Sequence, residues 1–444
     1  MKIHMIGVGG VGMSGLARLL VSRGDEVTGS DLVRTPLSDQ LDFPVSIGHD
    51  ASHLGEAQMA VRSAAIPDDN VEVVAAQEKG LPVVKYSEYL ATFMEGRIGI
   101  AVAGCHGKST TAGMIAYILE RAGFEPGYVI GGVIPQLGGN AEIGKGAPFV
   151  AEACEFDRSF LALRPNCSVI TNIEEDHLDY YKDIEEISAA FQSYASNASE
   201  IVIGSIDNPR TAAIVTDRKG TDEGYSIENE ADWRANNIEI RDGVWTFEVL
   251  KYGRSLGEFE LAIPGHHNVS NALAAIAATS WAGVGHEIIQ LALAEFTGVE
   301  RRFQVLGEYN GAVVVDDYGH HPTEIQATLK AAKERYPKRK IWCVFQPHQY
   351  SRTKIFANEF ARSFNDAALV LLPEVYEARE GKKGSGVSSS DLARLLDKNG
   401  KAALFLPNFE DVVSFLRKKA TEECLILTMG AGNVDEIARK VLAK

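Results

Sequence analysis

The chain has 444 residues, of which 45% are hydrophobic and 23% are charged, a composition typical of a soluble protein with about three domains. Its 60 acidic and 44 basic residues give a formal net charge of −16, which argues against a nucleic-acid-binding surface. The chain begins without a signal-peptide pattern, and it contains no run of about 18 apolar residues that would predict a membrane span. The five cysteines are scattered and form no CxxC pair, so we expect reduced thiols and a cytoplasmic location.

The N-terminal segment alternates strands and helices around a glycine-rich turn. Apolar patterning predicts a strand at Ile3–Ile6, a helix at Met13–Arg23 and a second strand at Glu26–Gly29. The turn, Gly7-Val8-Gly9-Gly10-Val11-Gly12, fits G-x-G-x-x-G, and Asp31 follows about 20 residues later, where a ribose partner would lie. This pattern indicates a Rossmann-like domain that binds a diphosphate at a helix N-terminus. It does not separate NAD, FAD and a UDP-sugar, and glycines used only for helix–strand packing are the alternative.

A second strand, glycine loop and helix begin at Arg97. The apolar strand Arg97–Ala103 leads into Gly104-Cys105-His106-Gly107-Lys108-Ser109, and a helix is predicted at Thr110–Ala122. Backbone N–H groups of such a loop bind phosphates, while Lys108 would reach the β- and γ-phosphates and Ser109 would hold Mg²⁺. The loop is shorter than a Walker A motif, because Val102 stands where that motif has its first glycine. The alternative is an ordinary Gly-Lys-Ser turn.

The rest of the chain also predicts an α/β architecture. Residues 232–263 alternate apolar and polar side chains, which favours antiparallel strands at a sheet edge. From about residue 306 strands and helices alternate again, including a helix at Lys354–Phe364, and this predicts a parallel sheet covered on both faces. We therefore predict three α/β domains: a Rossmann-like domain at 1–97, a central P-loop-type ATP-binding domain at 98–305 and a C-terminal Rossmann-like domain at 306–444.

The two glycine loops together restrict the function. A dehydrogenase needs only the first loop, and a plain ATPase needs only the second. Their combination suggests that ATP activates a second molecule, which the chain holds by its own diphosphate. A catalytically inactive nucleotide sensor and an NAD-dependent oxidoreductase remain as alternatives.

Further motifs resemble those of the Mur ligase family across nearly the whole chain. They are Glu152–Asp157, Thr171–His177, His267–Ala272, Arg301–Phe303, Asp316–Glu324 and Phe345–Arg352, and they follow the short loop at 104–111 in the family's order. Cys105, Cys154 and Asn433 depart from the residues that the family usually has at these positions. The family resemblance implies an ATP- and Mg²⁺-dependent ligase that joins L-alanine to the carboxylate of UDP-N-acetylmuramate through an acyl phosphate, an early cytoplasmic step of peptidoglycan synthesis. The alternative is the family member that ligates a whole tripeptide to the same sugar nucleotide. The oligomeric state is expected to be a monomer or homodimer.

The same resemblance implies the roles of individual residues. The expected catalytic residues are Lys108, Glu152, His177, His320 and Arg352. The expected Mg²⁺ ligands are Ser109, Glu152 and His177, although imidazole is an unusual ligand for Mg²⁺. The expected ATP contacts are Gly104, His106, Gly107, Lys108, Ser109, Thr110, His267, Asn268, Asn271, Arg302 and Asp317. The expected contacts to the sugar nucleotide and the amino acid are Gly7, Gly9, Gly10, Val11, Gly12, Asp31, Ser63, Tyr318, His348 and Arg352.

Each role has a structural alternative. Asn268 would cap a helix, Arg302 and Asp317 would form an ion pair, and a lone histidine such as His177 would be a surface residue. Glu155 and Asp157 are expected to be solvated loop acids. Cys105 is predicted to be thiol-reactive, because a helix N-terminus lowers the pKa of a thiol.

Overall fold

The computed structural model describes residues 1–178, 180–217, 222–378 and 386–443. Within them, the strands form three sheets with helices packed around them, which confirms the predicted α/β class. The chain divides into two compact units: the first comprises Met1–Ile238, Thr246–Glu260 and Ser270–Thr297, and the second comprises Glu239–Trp245, Leu261–Val269 and Gly298–Lys444. The predicted domain limits at 97 and 305 remain predictions. Among the described helices, none combines the length and the apolar character that crossing a membrane requires.

The first sheet contains the first glycine loop. Its strands are β1 (Lys2–Ile6), β2 (Glu26–Asp31), β3 (Val45–Ile47), β4 (Met59–Arg62) and β5 (Val83–Lys85), with helices α1 (Val11–Ser22), α2 (Val71–Glu78) and α3 (Tyr86–Ala91). The strands are parallel and follow the order β3-β2-β1-β4-β5. Strands β2 and β3 therefore follow on one side of β1 and strands β4 and β5 on the other, and ligands of such sheets bind beyond the carboxyl ends of the strands at this point.

The second sheet contains the second glycine loop. Its strands are β6 (Ile98–Ala103), β7 (Gly127–Ile134), β8 (Gly139–Glu142), β9 (Pro148–Glu152), β10 (Cys167–Ile170), β11 (Ile201–Ser205), β12 (Glu223–Ser226), β13 (Trp233–Arg241), β14 (Val244–Lys251) and β15 (Arg254–Leu261). Its helices are α4 (Lys108–Arg121), α5 (Ile184–Ala195), α6 (Pro209–Asp217), α7 (His266–Trp281) and α8 (His286–Glu295). The strand order is β15-β14-β13-β12-β11-β10-β6-β9-β7-β8.

The predicted edge strands of residues 232–263 are present as β13, β14 and β15. Two-residue turns at Asp242-Gly243 and Tyr252-Gly253 connect them, and all four turn residues have positive φ. Such turns match the twist of antiparallel strands. The sequence prediction for this region is confirmed.

The third sheet lies in the second unit. Its strands are β16 (Gln304–Tyr309), β17 (Ala312–Asp317), β18 (Lys340–Phe345), β19 (Leu369–Leu372), β20 (Ala403–Phe405) and β21 (Cys424–Met429). Its helices are α9 (Pro322–Arg335), α10 (Tyr350–Ile355), α11 (Ala357–Ser363), α12 (Ser389–Lys398), α13 (Phe409–Lys419) and α14 (Asp435–Leu442). The strand order is β16-β17-β21-β18-β19-β20.

Two predictions for this region are wrong in detail. The sheet is parallel except for β16, which pairs antiparallel with β17 through a turn at Asn310-Gly311 with positive φ at both residues. The helix predicted at Lys354–Phe364 is interrupted at Phe356, where φ is −96° and ψ is 18°. Apolar spacing alone did not reveal the interruption, because Phe356 and Phe360 both remain buried.

One apolar core of the first unit includes residues from both of its sheets. Leu16 of α1 and Val129 of β7 belong to this buried cluster. The rings of Phe93 and Phe149 stack with centroids 6.1 Å apart. Buried apolar and aromatic contacts of this kind stabilise the packing between the two sheets of this unit.

Candidate active site

The first glycine loop lies against the ends of β2 and β4. Asp31, the last residue of β2, accepts a hydrogen bond from Gly9 N through Oδ2 at 2.8 Å. Gly7 has a φ of +81°, and a Cβ placed there would lie 3.2 Å from Ser63 Cβ. The structure thus brings Gly7, Gly9, Asp31 and Ser63 together, and their contacts to the sugar nucleotide remain predictions.

The remaining residues of this loop form the start of α1. Gly10 is exposed and precedes the first helical residue, Val11. A Cβ on Gly12 would lie 3.1 Å from the ring of Tyr86. The helix N-terminus therefore stays accessible to an anion, since small residues keep the backbone open.

Adjacent parallel strands bring the second loop next to two other segments. In the register of the sheet, Val102 of β6 is paired with Glu152 of β9, and Ala103 is paired with Ile170 of β10. Because parallel strands end at the same edge, Glu152, the glycine loop and the segment after Ile170 meet there.

The loop conformation requires glycine at two positions. Gly104 has a φ of +140°, and a Cβ there would collide with the hydroxyl of Thr171. Gly107 has a φ of +84°, and a Cβ there would collide with the side-chain oxygen of Asn271. His106 N donates to Asn172 Oδ1 at 2.9 Å, which fixes the middle of the loop. These contacts constrain the conformation of the loop.

Helix α4 begins directly after this loop. Lys108 is its first residue, and Ser109 and Thr110 are buried in its first turn. The N–H groups of a first turn have no partner within the helix and are suited to bind phosphate oxygens.

Lys108 forms a buried ion pair with Glu155. Its Nζ lies 3.0 Å from Oε1 and 2.9 Å from Oε2 of Glu155, whose exposed fraction is 1%. The same ammonium donates to the carbonyl oxygens of Gly104 and Cys105. Burial lowers the pKa of Lys108, but the charge of Glu155 outweighs this effect and the pKa is raised above its usual value. Lys108 is therefore a permanent cation at the loop.

Glu155 also belongs to a cluster of three possible metal ligands. His177 Nε2 lies 3.7 Å from Glu155 Oε1 and 3.9 Å from Asp176 Oδ2. One ligand atom from each of the three residues lies within 4.8 Å of the others. His177 has a φ of 52°, and its backbone N–H donates to Asp176 Oδ1 at 2.7 Å. His177 thus combines an uncommon backbone conformation with an imidazole that lies close to two carboxylates.

In the second unit, the predicted amino-acid contacts form a continuous group. The ring centroids of Tyr318 and His320 are 5.7 Å apart, and those of His320 and His348 are 5.8 Å apart. Arg352 is buried, with Nη1 3.2 Å from His348 Nδ1. A guanidinium group such as that of Arg352, beside the imidazole of His348, can bind the carboxylate of an amino acid.

Comparison with known proteins agrees with this geometry. Three family models match the chain: "Mur ligase family, catalytic domain" at residues 2–97, "Mur ligase middle domain" at 102–279 and "Mur ligase, glutamate ligase domain" at 301–432. The UDP-N-acetylmuramate–L-alanine ligase of Caldanaerobacter subterraneus subsp. tengcongensis is 42% identical, with 99% of this chain and 97% of that protein covered. The chain belongs to the Mur ligase family.

Solved structures of Mur ligases share the fold over the full length. The UDP-N-acetylmuramate-alanine ligase of Thermotoga maritima matches with a TM-score of 0.87 and 29% identity, covering 100% of this chain and 98% of that one. A murein peptide ligase of Psychrobacter arcticus matches with a TM-score of 0.73 and 27% identity, again covering 100% and 98%. The predicted family and fold are therefore confirmed.

The expectation that Glu155 and Asp157 of this Mur ligase are solvated loop acids is wrong. Glu155 is buried against Lys108, and its carbonyl oxygen accepts a hydrogen bond from Tyr181 at 2.6 Å. Asp157 pairs with Lys85 Nζ at 2.6 Å. The spacing of acids in a loop does not reveal such burial, because the lysines come from distant parts of the chain. The single feature of the sequence that indicates burial of Glu155 is its position just after the end of a strand, close to the predicted phosphate loop.

The lowered thiol pKa on which the predicted reactivity of Cys105 depends is contradicted. Its thiol is buried, and burial raises its pKa well above the usual value, as do the charges of Glu155 and Asp176. The helix N-terminus therefore does not set the ionisation of this thiol. All five cysteines lie in the described part of the chain and are free, as expected.

The three predicted Mg²⁺ ligands lie on different elements and have different contacts. Glu152, at the end of β9, accepts a hydrogen bond from Gly131 N at 2.7 Å. Ser109 lies in the first turn of α4, and His177 contacts Glu155. Their role as ligands remains a prediction.

Asp317 and Arg302 each have partners within the second unit. Asp317 is buried and accepts hydrogen bonds from the N–H groups of Phe303 and Gly319, both at 2.8 Å. Burial raises the pKa of its carboxyl. Arg302 lies with Cζ 5.1 Å from the centre of the Tyr318 ring and Nη1 3.6 Å from Glu324 Oε1. Contacts to ATP are still predictions for both residues.

Arg301, its neighbour, was not singled out from the sequence. Its Nε lies 3.0 Å from Asp316 Oδ2, and its other nitrogens donate to the carbonyl oxygens of Gly432 and Gly430. Its Cζ is also 5.1 Å from the Tyr318 ring. The pattern Arg-Arg-Phe does not reveal which arginine forms contacts within the fold, because these contacts depend on where β17 and β21 end.

The asparagines and the histidine of α7 have separate environments. Asn268 Nδ2 donates to Pro264 O at 2.6 Å, so this contact does not cap backbone N–H groups. Asn271 lies beside Gly107 of the second loop. His267 is exposed near the start of the helix. Of the three, Asn271 has the placement that most directly supports a nucleotide contact.

Proposed function

We propose that this Mur ligase joins L-alanine to the carboxylate of UDP-N-acetylmuramate and converts ATP to ADP and phosphate. The reaction takes place in the cytoplasm and is an early step of peptidoglycan synthesis. The observation that carries the proposal is the second glycine loop, where a permanent cation, Lys108, lies beside the Glu155–Asp176–His177 cluster. The first glycine loop in the same compact unit provides a separate place for the diphosphate of the sugar nucleotide. The full-length similarity to ligases of that name supports the choice of substrates.

The first chemical step activates the carboxylate. A carboxylate oxygen of UDP-N-acetylmuramate attacks the γ-phosphorus of ATP, the bond from that phosphorus to the β–γ bridging oxygen breaks, and ADP leaves. Lys108 neutralises the charge that develops on the γ-phosphoryl oxygens, while the N–H groups at Ser109 and Thr110 hold the phosphates. The product of this step is an acyl phosphate.

The residues around the loop fit a Mg²⁺ ion. Glu152 offers carboxylate oxygen at a strand end beside Val102, and Ser109 offers a hydroxyl in the first turn of α4. His177 stands among carboxylates that supply the oxygen atoms Mg²⁺ prefers. We propose that Ser109, Glu152 and His177 hold Mg²⁺, which supplies positive charge to the phosphates when bound. Of these three ligands, the imidazole of His177 is the least usual, because Mg²⁺ prefers oxygen ligands.

The second step forms the amide. The amine of L-alanine attacks the acyl carbon, the bond from that carbon to the phosphate oxygen breaks, and phosphate leaves with the electron pair. We assign Arg352 to the carboxylate of alanine and Tyr318 and His348 to its remaining contacts. His320 is proposed to take the proton that the amine loses.

The test is phosphate release from ATP by the purified chain with Mg²⁺ and UDP-N-acetylmuramate. L-Alanine, glycine, L-serine and the tripeptide of the alternative family member are supplied separately. We expect release that depends on L-alanine and is lost in Lys108→Ala, while Lys182→Ala, an exposed lysine, keeps full activity. If phosphate release were faster with the tripeptide, the tripeptide would take the place of L-alanine as the proposed substrate. Phosphate release without any amino acid would contradict the proposal. We further propose a monomer or homodimer, which sedimentation of the same sample decides.

A further inference from the structure

A buried carboxylate outside the proposed site is surrounded by three histidines. Glu72, in the first turn of α2, has an exposed fraction of 0%. His53 Nδ1 lies 2.7 Å from its Oε1, and His49 Nδ1 lies 3.1 Å from its Oε2. His4 of β1, also fully buried, has Nε2 3.6 Å from Oε2. We call Glu72, His4, His49 and His53 the Glu72 cluster.

Two further donors complete the surroundings of this carboxylate. Ser30 Oγ donates to Oε2 of Glu72 at 2.5 Å, and Asp50 N donates to Oε1 at 3.2 Å. Burial alone would raise the pKa of Glu72, but the nearby imidazole of His4 and the hydrogen bonds from Ser30 and His53 outweigh it and lower the pKa to about 2. The carboxylate is thus ionised and bound from several elements of the first sheet.

Ser30 connects this carboxylate directly to the first glycine loop. Its carbonyl oxygen accepts hydrogen bonds from Gly7 N at 2.8 Å and from Val8 N at 3.0 Å. The next residue, Asp31, accepts from Gly9 N at 2.8 Å. Ser30 therefore connects the two: its hydroxyl contacts the buried carboxylate, and its carbonyl oxygen contacts the loop.

From this connection we propose that Glu72 is a positioning residue for the first glycine loop. Its carboxylate holds the hydroxyl of Ser30, and thereby the backbone that fixes Gly7 and Val8, in the shape that receives the diphosphate of the sugar nucleotide. A charged acceptor makes stronger hydrogen bonds than a neutral one, so the strand end is held more tightly than packing alone would hold it. The choice of ligand rests on the proposed function, but the positioning of the loop does not.

The perturbation is Glu72→Gln, which keeps the shape and replaces one acceptor oxygen by an NH₂ group that faces donors. The matched control is Glu78→Gln, since Glu78 is the exposed last residue of the same helix. Binding of UDP-N-acetylmuramate and, separately, of ADP is measured by calorimetry on the full chain without turnover. We expect the Kd for UDP-N-acetylmuramate to rise roughly tenfold, equivalent to about 1.4 kcal/mol, in Glu72→Gln. The Kd for ADP should change less than about twofold, and Glu78→Gln should change neither.

Several outcomes separate positioning from simple stabilisation. A lower melting temperature with an unchanged Kd for UDP-N-acetylmuramate would overturn the proposal, as would an equal loss of affinity for ADP. If Glu72→Gln does not fold, Ser30→Ala decides, because it removes the hydroxyl and keeps the carbonyl. This variant should raise the same Kd about threefold, and no change would overturn the proposal. Wild-type chain that does not bind UDP-N-acetylmuramate, or binds it without ligating it, would refute the proposed function, whereas wild-type binding that Glu72→Gln and Ser30→Ala leave unchanged would overturn this inference alone.

Discussion

The ion pair between Lys108 and Glu155 predicts strong coupling between two substitutions. At a separation of 3.0 Å, an effective dielectric constant of about 20 gives roughly 5 kcal/mol of attraction between unit charges. Removing the ammonium in Lys108→Met leaves the Glu155 carboxylate buried without this cation, which costs about 3–5 kcal/mol of unfolding free energy. In the double variant with Glu155→Gln no carboxylate is stranded, so we expect it to recover at least about 2 kcal/mol of that loss.

Denaturant unfolding of the nucleotide-free chain, monitored by circular dichroism, measures all four members of this cycle. The matched control is Lys182→Met, because the Lys182–Asp183 pair is exposed and should contribute less than about 1 kcal/mol. Both variants that lack Lys108 should remain inactive, so the double variant should recover stability without recovering activity. If the two substitutions destabilise additively, the pair does not stabilise the loop and the reasoning is refuted.

Three further predictions concern other groups. Alkylation of Cys105 by iodoacetamide, followed by peptide mass spectrometry, should be at least about tenfold slower than that of glutathione, because burial raises the pKa of its thiol; equal rates would contradict this. The pKa of Glu72 falls from 4.5 to about 2 on folding, so its contribution of roughly 3 kcal/mol is present above pH 4.5 and lost as the pH falls towards 2. The unfolding free energy of Glu72→Gln should therefore vary less between pH 4.5 and 2 than that of the wild type. If the two curves of unfolding free energy against pH are parallel, this prediction is wrong. Arg352→Lys should raise the KM for L-alanine by about tenfold or more with little change in the KM for ATP, and a shift in the ATP value instead would refute the assignment.

Both glycine loops were predictable because their signals are local. A strand, a glycine that must take positive φ and a following helix lie within about ten residues, as in β6, Gly104–Gly107 and α4. The edge hairpins of β13–β15 were predictable for a similar reason, since alternation and turn residues act between neighbours. Strand β7, by contrast, carries glycines at Gly131 and Gly132 that obscure the strand pattern.

The positions of both glycine loops, and of Lys108 at the start of α4, could thus be predicted from the sequence by itself, because backbone conformation and helix N-termini depend on adjacent residues. Only the tertiary structure decided that Glu155 faces Lys108, that Cys105 is buried and that His4, His49 and His53 meet at Glu72. The physical reason is that burial and charge pairing depend on which distant strands end side by side. A residue's pKa and partners follow from that neighbourhood, which no spacing along the chain reveals.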